Sequence, residues 1–188
     1  MRLLLSIIFF LNLLFSFSQS TTNKLKSFNS FKSGEKLEYK LQYGFLNASY
    51  ASLTLREDVV NNEKVLRATS IGRTTGLARL FFKVEDTYET FFSFEKVQPL
   101  KSIRDIYEGG YVRNAETIYD YNTNTAYFHD KIKNIKKEFE IHPEIQDIIS
   151  TFYYLRKHFD ISSLKPNDLI YVDIFFDQEI YPFKMMFL

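Results

Sequence analysis

The sequence predicts a mainly β domain, a curved antiparallel sheet or half-barrel with one amphipathic helix packed on it. Three observations predict it. Apolar and polar residues alternate with period two over most of the chain from Glu35 onward. Asn, Gly and Pro recur between the alternating stretches, where turns belong. One segment, between Ile145 and Phe159, carries a helical period instead. A helix that buries an apolar stripe needs a sheet to receive it, and an open sheet is the simplest receiver. A closed eight-stranded barrel is the alternative.

In the first strand, Leu37, Tyr39, Leu41 and Tyr43 point one way while Glu38, Lys40 and Gln42 point the other. Gly44 ends it. A second strand over 48–60 turns at Asn61-Asn62 into a third over 64–71. Gly72 and Gly76 bracket Arg-Thr-Thr, and Leu77-Ala78-Arg79-Leu80 reads as a short helical turn or loop. Strands follow over 82–94, 100–107, 111–122, 125–130 and 133–141, with Gly109-Gly110 and Asn122-Thr-Asn124 supplying turn chemistry. Pro143 suits the first turn of the helix, because its missing N–H costs nothing there. Ile145, Ile148, Ile149, Phe152, Leu155 and Phe159 then fall at i, i+3, i+4, i+7, i+10 and i+14, which predicts them as the buried face. Pro166-Asn167-Asp168 turns the chain into a final hairpin over 169–176 and 180–188.

Organisation and composition bound what such a domain does. Residues 1–18 read as a signal peptide: Arg2, an apolar run from Leu3 to Phe15, then small residues at Ser16 and Ser18, so that cleavage leaves Gln19 first. The run is too short to span a bilayer, and no later segment is apolar for long enough. Residues 19–34 form a polar lead-in, and 35–188 a single β-rich domain. Lys and Arg number 24 against 23 Asp and Glu; removing Arg2 with the signal leaves 23 against 23. That balance gives nucleic acid no basic surface. The chain has no cysteine, which excludes disulfides, thiolate catalysis, Cys-based zinc sites and a lipidated lipoprotein terminus.

Catalytic signatures fail by inspection. There is no G-x-S-x-G, no phosphate-binding glycine loop followed by Lys-Ser/Thr, and no G-x-G-x-x-G. His129, His142 and His158 are separated by 13 and 16 residues, which matches no zinc pattern, so neither metal nor cofactor is expected. Acids on predicted strands, including Glu85, Glu89, Asp105 and Glu108, read first as solvated faces and ion pairs; a glycosidase pair is the functional alternative. Arg156 lies on the flank of the helical stripe, where a partly buried guanidinium needs a carboxylate. Glu85, Glu89 or Glu108 are the candidate partners, and an anion or headgroup contact is the alternative. With Phe 20 and Tyr 13, neighbouring aromatics at Phe81-Phe82, Phe91-Phe92, Tyr153-Tyr154 and Phe175-Phe176 put rings on both faces of strands, as an apolar groove or a second packed layer requires.

At Gly34-Glu35-Lys36-Leu37, Thr75-Gly76-Leu77, Phe82-Lys83-Val84-Glu85-Asp86-Thr87-Tyr88, Glu108-Gly109-Gly110-Tyr111 and the block from Ile145-Gln146-Asp147 to Tyr154-Leu155-Arg156, the chain resembles the bacterial family labelled domain of unknown function 3108. Asp168 and Ile180-Tyr181-Pro182-Phe183 continue the likeness, which runs from Glu35 to Leu188. The resemblance implies an exported, mostly β envelope protein of Gram-negative bacteria, located in the periplasm, with no catalytic residue to carry over. Members of that family continue with further strands, so it also implies that this domain lacks its C-terminal strands and that 180–188 is an incompletely paired edge. The leading expectation is a non-enzymatic protein that holds an apolar or lipid-like ligand in a deep cavity, or an envelope protein partner, with the helix as lid and Arg156 as polar anchor. An envelope glycan hydrolase and a structural interaction module are the alternatives.

Overall fold

The structure is a computed structural model and describes residues 30–44 and 46–188. The expected signal over 1–18 and most of the lead-in over 19–34 lie outside the described residues. Among the described residues, ten strands and two α-helices follow one another as β1 (Lys36–Tyr43), β2 (Leu46–Val60), β3 (Glu63–Thr74), α1 (Gly76–Phe81), β4 (Val84–Ser93), β5 (Pro99–Glu108), β6 (Tyr111–Asp120), β7 (Thr125–Asp130), β8 (Ile135–Glu140), α2 (Ile148–His158), β9 (Leu169–Phe176) and β10 (Glu179–Met186), with a 3-10 turn at Ile161–Ser163 after α2. The first eight strands form one antiparallel sheet in sequence order. β9 and β10 form a separate two-stranded sheet. The eight-stranded sheet is not closed into a barrel.

The turns follow from residues that tolerate positive φ. Asn61-Asn62 (φ 51° and 65°) and Gly109-Gly110 (φ 55° and 98°) close two-residue hairpins of the kind whose twist matches that of the strands. Asp177-Gln178 (φ 51° and 74°) closes the β9–β10 hairpin in the same way, although glutamine has no intrinsic preference for that region. Val97, in the turn between β4 and β5, is a β-branched residue at φ 56°. Its side chain is fully buried in the core, and that burial offsets a backbone cost of about 1–3 kcal/mol.

One face of the open sheet, here the inner face, carries the core. Leu55 of β2, Leu66 and Ala68 of β3, Phe92 of β4 and Val97 pack with Tyr153 of α2. Tyr119 of β6, Ala126 of β7, Ile141, Ile145 and Phe175 of β9 form a second cluster. The helix therefore covers part of the inner face over β2, β3 and β4, and the β9–β10 hairpin part of it over β6 and β7.

The helix begins later than Pro143 and buries a different face from the expected one. Gln146 is extended and bridges β9 in parallel, accepting from Phe175 N–H (2.8 Å) and donating to the Asp173 carbonyl (3.0 Å). Asp147 then caps the helix: its carboxylate accepts from Ser150 N–H (2.7 Å), and Ser150 Oγ accepts from Asp147 N–H (2.8 Å). The stripe turned to the sheet is Ser150, Tyr153 and Lys157, with Thr151 beside it. Tyr153 is 0% exposed, held edge-on to Phe31 (4.9 Å) and tilted on Phe92 (5.3 Å). Phe152 is 36% exposed, and Ile145, though buried, sits before the helix in the second cluster. An apolar-only count missed this stripe because its polar members bring their own partners. Thr151 Oγ1 donates to the Asp147 carbonyl (2.6 Å), and Lys157 lays its stem inward and donates to the Phe94 carbonyl.

The final hairpin is an edge with a guard on it. Phe176 and Glu179 flank a two-residue turn and so form a hydrogen-bonded pair, with alternate residues of β10 bonding to β9 after them. The bond from Phe187 N–H to the Asp168 carbonyl (3.0 Å) keeps that parity. Pro182 falls between bonding positions and turns its missing N–H to the outer side, which blunts strand addition there. The outer side of β10 has no partner among the described residues.

Tyr153→Ala is expected to lower stability by about 3–5 kcal/mol, the cost of emptying a large buried aromatic site. Phe152→Ala is expected to cost less than about 1 kcal/mol. Urea titrations of the two variants check the assignment; equal midpoints contradict it.

Candidate functional site

Arg156 forms the kind of ion pair expected of it, with a different partner. Its Nη1 and Nη2 bind Glu35 Oε1 and Oε2, both at 2.7 Å, and Nη2 also donates to the Ser30 carbonyl (2.7 Å). Phe31, Phe152 and Tyr153 lie against its plane at 5.6, 5.0 and 5.6 Å. The hydrogen bond to Glu35 raises its pKa further. This guanidinium ties the segment before β1 to the helix and has little capacity left for a ligand.

The three acids expected beside Arg156 lie elsewhere. Glu85 is on the outer face, bound to Lys83 and Arg79, which hold its carboxyl below the usual range. Glu89 is also on the outer face, paired with Arg67 and accepting from the Thr69 hydroxyl (3.2 Å). Glu108 ends β5 on the inner face, where its charge adds to burial in raising the Asp86 carboxyl. No group of three His, Cys, Asp or Glu among the described residues is arranged to hold a metal.

What the fold does assemble is a row structure across the inner face. Cross-strand partners share a face. One row reads Leu37, Leu53, Ser70, Tyr88, Arg104, Ala115, and the next toward the open end reads Tyr39, Ala51, Gly72, Asp86, Ile106, Arg113. Beyond α2 and the hairpin the second row is partly uncovered. Ala51, Ser70 and Gly72 make a low floor, and a Cβ built on Gly72 meets nothing within 4 Å. Tyr39 and Leu41 stand at its β1 side, 53% and 65% exposed. On α2, Ile148 and Phe152 are likewise left partly in water, 44% and 36% exposed. The result is a shallow apolar trough open to solvent. Its floor was legible in outline: the turn at Asn61-Asn62 fixes the register that sets Ala51 opposite Gly72.

A small cavity lies at the helix N-terminus, where a deep apolar one was expected. About 30 Å³ lies between Tyr88, Ser102, Arg104, Asp147, Ile148 and Phe176, room for about two waters. Asp147, on its wall, accepts from the Thr90 hydroxyl (2.9 Å) as well as from Ser150 N–H. Burial nevertheless pushes its carboxyl up to about 6. Tyr119, fully enclosed nearby, is pushed well above the usual phenol range by burial and then by Asp147.

The model of a family described as protein of unknown function (DUF3108) matches residues 38–188, so the chain belongs to that family. No curated protein and no solved structure matches the chain.

The elevated Asp147 carboxyl has a stability consequence with a definite sign. The folded state binds its proton at higher pH than the unfolded chain does, whose value is near 3.8. The stabilisation is full below about pH 4 and is lost as pH rises through about 6, by up to about 3 kcal/mol. Asp147→Asn keeps a capping oxygen and has no such titration. The stability difference between wild type and Asp147→Asn, followed by urea titration from pH 4 to 7, is expected to shift against the wild type as pH rises. A constant difference contradicts the assignment.

Proposed function

We propose that the chain is an exported, non-enzymatic envelope protein that takes an apolar, lipid-like ligand along the uncovered trough of its inner face. The observation that carries this reading is the exposure of Tyr39 and Leu41 beside a floor of Ala51, Ser70 and Gly72, on the face that elsewhere forms the core. Apolar side chains left in water on a core face are a standing cost of about 25 cal/mol per Å² that a ligand removes. The 30 Å³ cavity is too small for an acyl chain, so the ligand lies on the sheet and not inside the protein. Helix α2 is fixed on the sheet, since Tyr153, Asp147 and Arg156 pin it along its length. Among the described residues no helix is long and apolar enough to cross a membrane. The Arg2-led apolar segment supports export, with Gln19 as the first residue of the mature protein; N-terminal sequencing of the periplasmic fraction is expected to read from Gln19, and material starting at Met1 contradicts export.

Gly72 tests the trough without touching the core. Open space above its Cα admits a side chain. Gly72→Leu is therefore expected to fold with a thermal midpoint close to wild type and to lose most binding of an apolar fluorescent probe such as N-phenylnaphthylamine. Binding undiminished in folded Gly72→Leu contradicts the location, and no binding by wild type contradicts the function.

A further inference from the structure

Arg104 is the inner-face cation that the fold leaves shortest of acceptors, with two unpartnered nitrogens against one, Nε, on Arg113. The Nε and Nη1 of Arg104 are both buried and make no hydrogen bond. Its guanidinium is held in one plane by Phe176 at 4.2 Å and Tyr88 at 5.7 Å. The nearest carboxylate, Asp177 Oδ1, stands 3.6 Å from Nη1, beyond hydrogen-bond distance, and is already bound by Arg113. Asp130, the next acid, lies 4.0 Å from Arg113 Nε. Two guanidiniums thus share one close carboxylate, and Arg113 holds it. A buried donor without an acceptor costs about 1–3 kcal/mol, so the vacancy needs an explanation.

The surroundings say what size of group would fill it. Arg104 lines the 30 Å³ cavity together with Asp147 and beside Asp177, and its guanidinium is the one cation among the lining residues; the volume suits the oxygens of one small acidic group. Arg104 stands two strands across from Ser70 in the same row, roughly 12 Å from Gly72 at ordinary strand spacings. Asp86 and Tyr88 stand between the two on the inner face, and Ile148 lies with Tyr88 and Arg104 on the cavity wall, partly in water. A molecule with an apolar chain on the trough floor would reach Arg104 with its end.

We infer that Arg104 anchors the head of an anionic amphiphile, a carboxylate or phosphate monoester, whose chain lies in the trough. The inference rests on the proposed apolar binding and adds the class of head. Charge-assisted bonds to a guanidinium are the stronger kind, and the flanking rings fix its plane before the ligand arrives. Arg156, by contrast, is saturated by Glu35.

Isothermal titration of the full chain with dodecanoate, dodecyl phosphate, dodecanol, acetate and inorganic phosphate tests this. Wild type is expected to bind the two anionic amphiphiles at least about tenfold tighter than dodecanol. Arg104→Gln is expected to erase that preference while leaving dodecanol affinity unchanged, and Arg104→Lys to keep part of it. Unchanged dodecanol affinity also shows that the variants are folded. Equal binding of dodecanol and dodecanoate by wild type overturns the anchor and leaves the apolar trough standing. Acetate or phosphate binding as tightly as the amphiphiles, and lost in Arg104→Gln, overturns it in favour of a free-anion site. Failure of every amphiphile to bind overturns both the anchor and the trough.

Discussion

The docking of Tyr153 between Phe31 and Phe92 is the contact on which the rest of the domain depends. An open eight-stranded meander has an apolar inner face and no second sheet of equal size to cover it. One aromatic side chain at the centre of α2 supplies the missing layer over β2, β3 and β4. Its position then sets where the helix ends must fall. Asp147 meets Thr90 of β4 at one end, and Arg156 meets Glu35 ahead of β1 at the other. The side of the sheet beyond the helix stays bare as a consequence of that placement.

Coverage of the inner face is therefore divided, and the division is what gives the protein a surface to use. The β9–β10 hairpin covers the part over β6 and β7 through Phe175, with its tip held by Asp177 on Arg113. Helix and hairpin meet at the Gln146–Ile174 bridge, so neither moves freely without the other. Between them remains a space of a few atoms, and beside them a strip of small residues. An enclosed lipid pocket would have required the helix to stand off the sheet, and Tyr153 prevents that.

Much of this was legible in the sequence, and the exceptions have physical causes. Alternation and turn residues located the strands because both are local: period two reports a half-buried strand, and paired Asn or Gly residues at positive φ report a hairpin. The helix was located for the same reason, but its buried face was not. Ile148 and Phe152 outrank Ser150 and Lys157 on any apolar scale, yet only the latter pair bring internal partners to the interface. The need of Arg156 for a carboxylate was legible from its place on the helix, whereas Glu35, 121 residues away, was selected by tertiary structure alone. Arg104 carried no mark at all: on a strand it reads as one more charged residue, and its shortage of acceptors appears only when Arg113 and Asp177 are placed beside it.

Amide chemical-shift mapping of the isotope-labelled protein during addition of dodecanoate tests the central claim most directly. The account predicts shifts along the inner-face rows, at Tyr39, Ala51, Gly72 and Ile148, extending to Arg104. It predicts little change on the outer face at residues such as Thr69, Thr87 and Glu116. Shifts confined to the outer face or to the outer side of β10, with the trough residues unmoved, would contradict it.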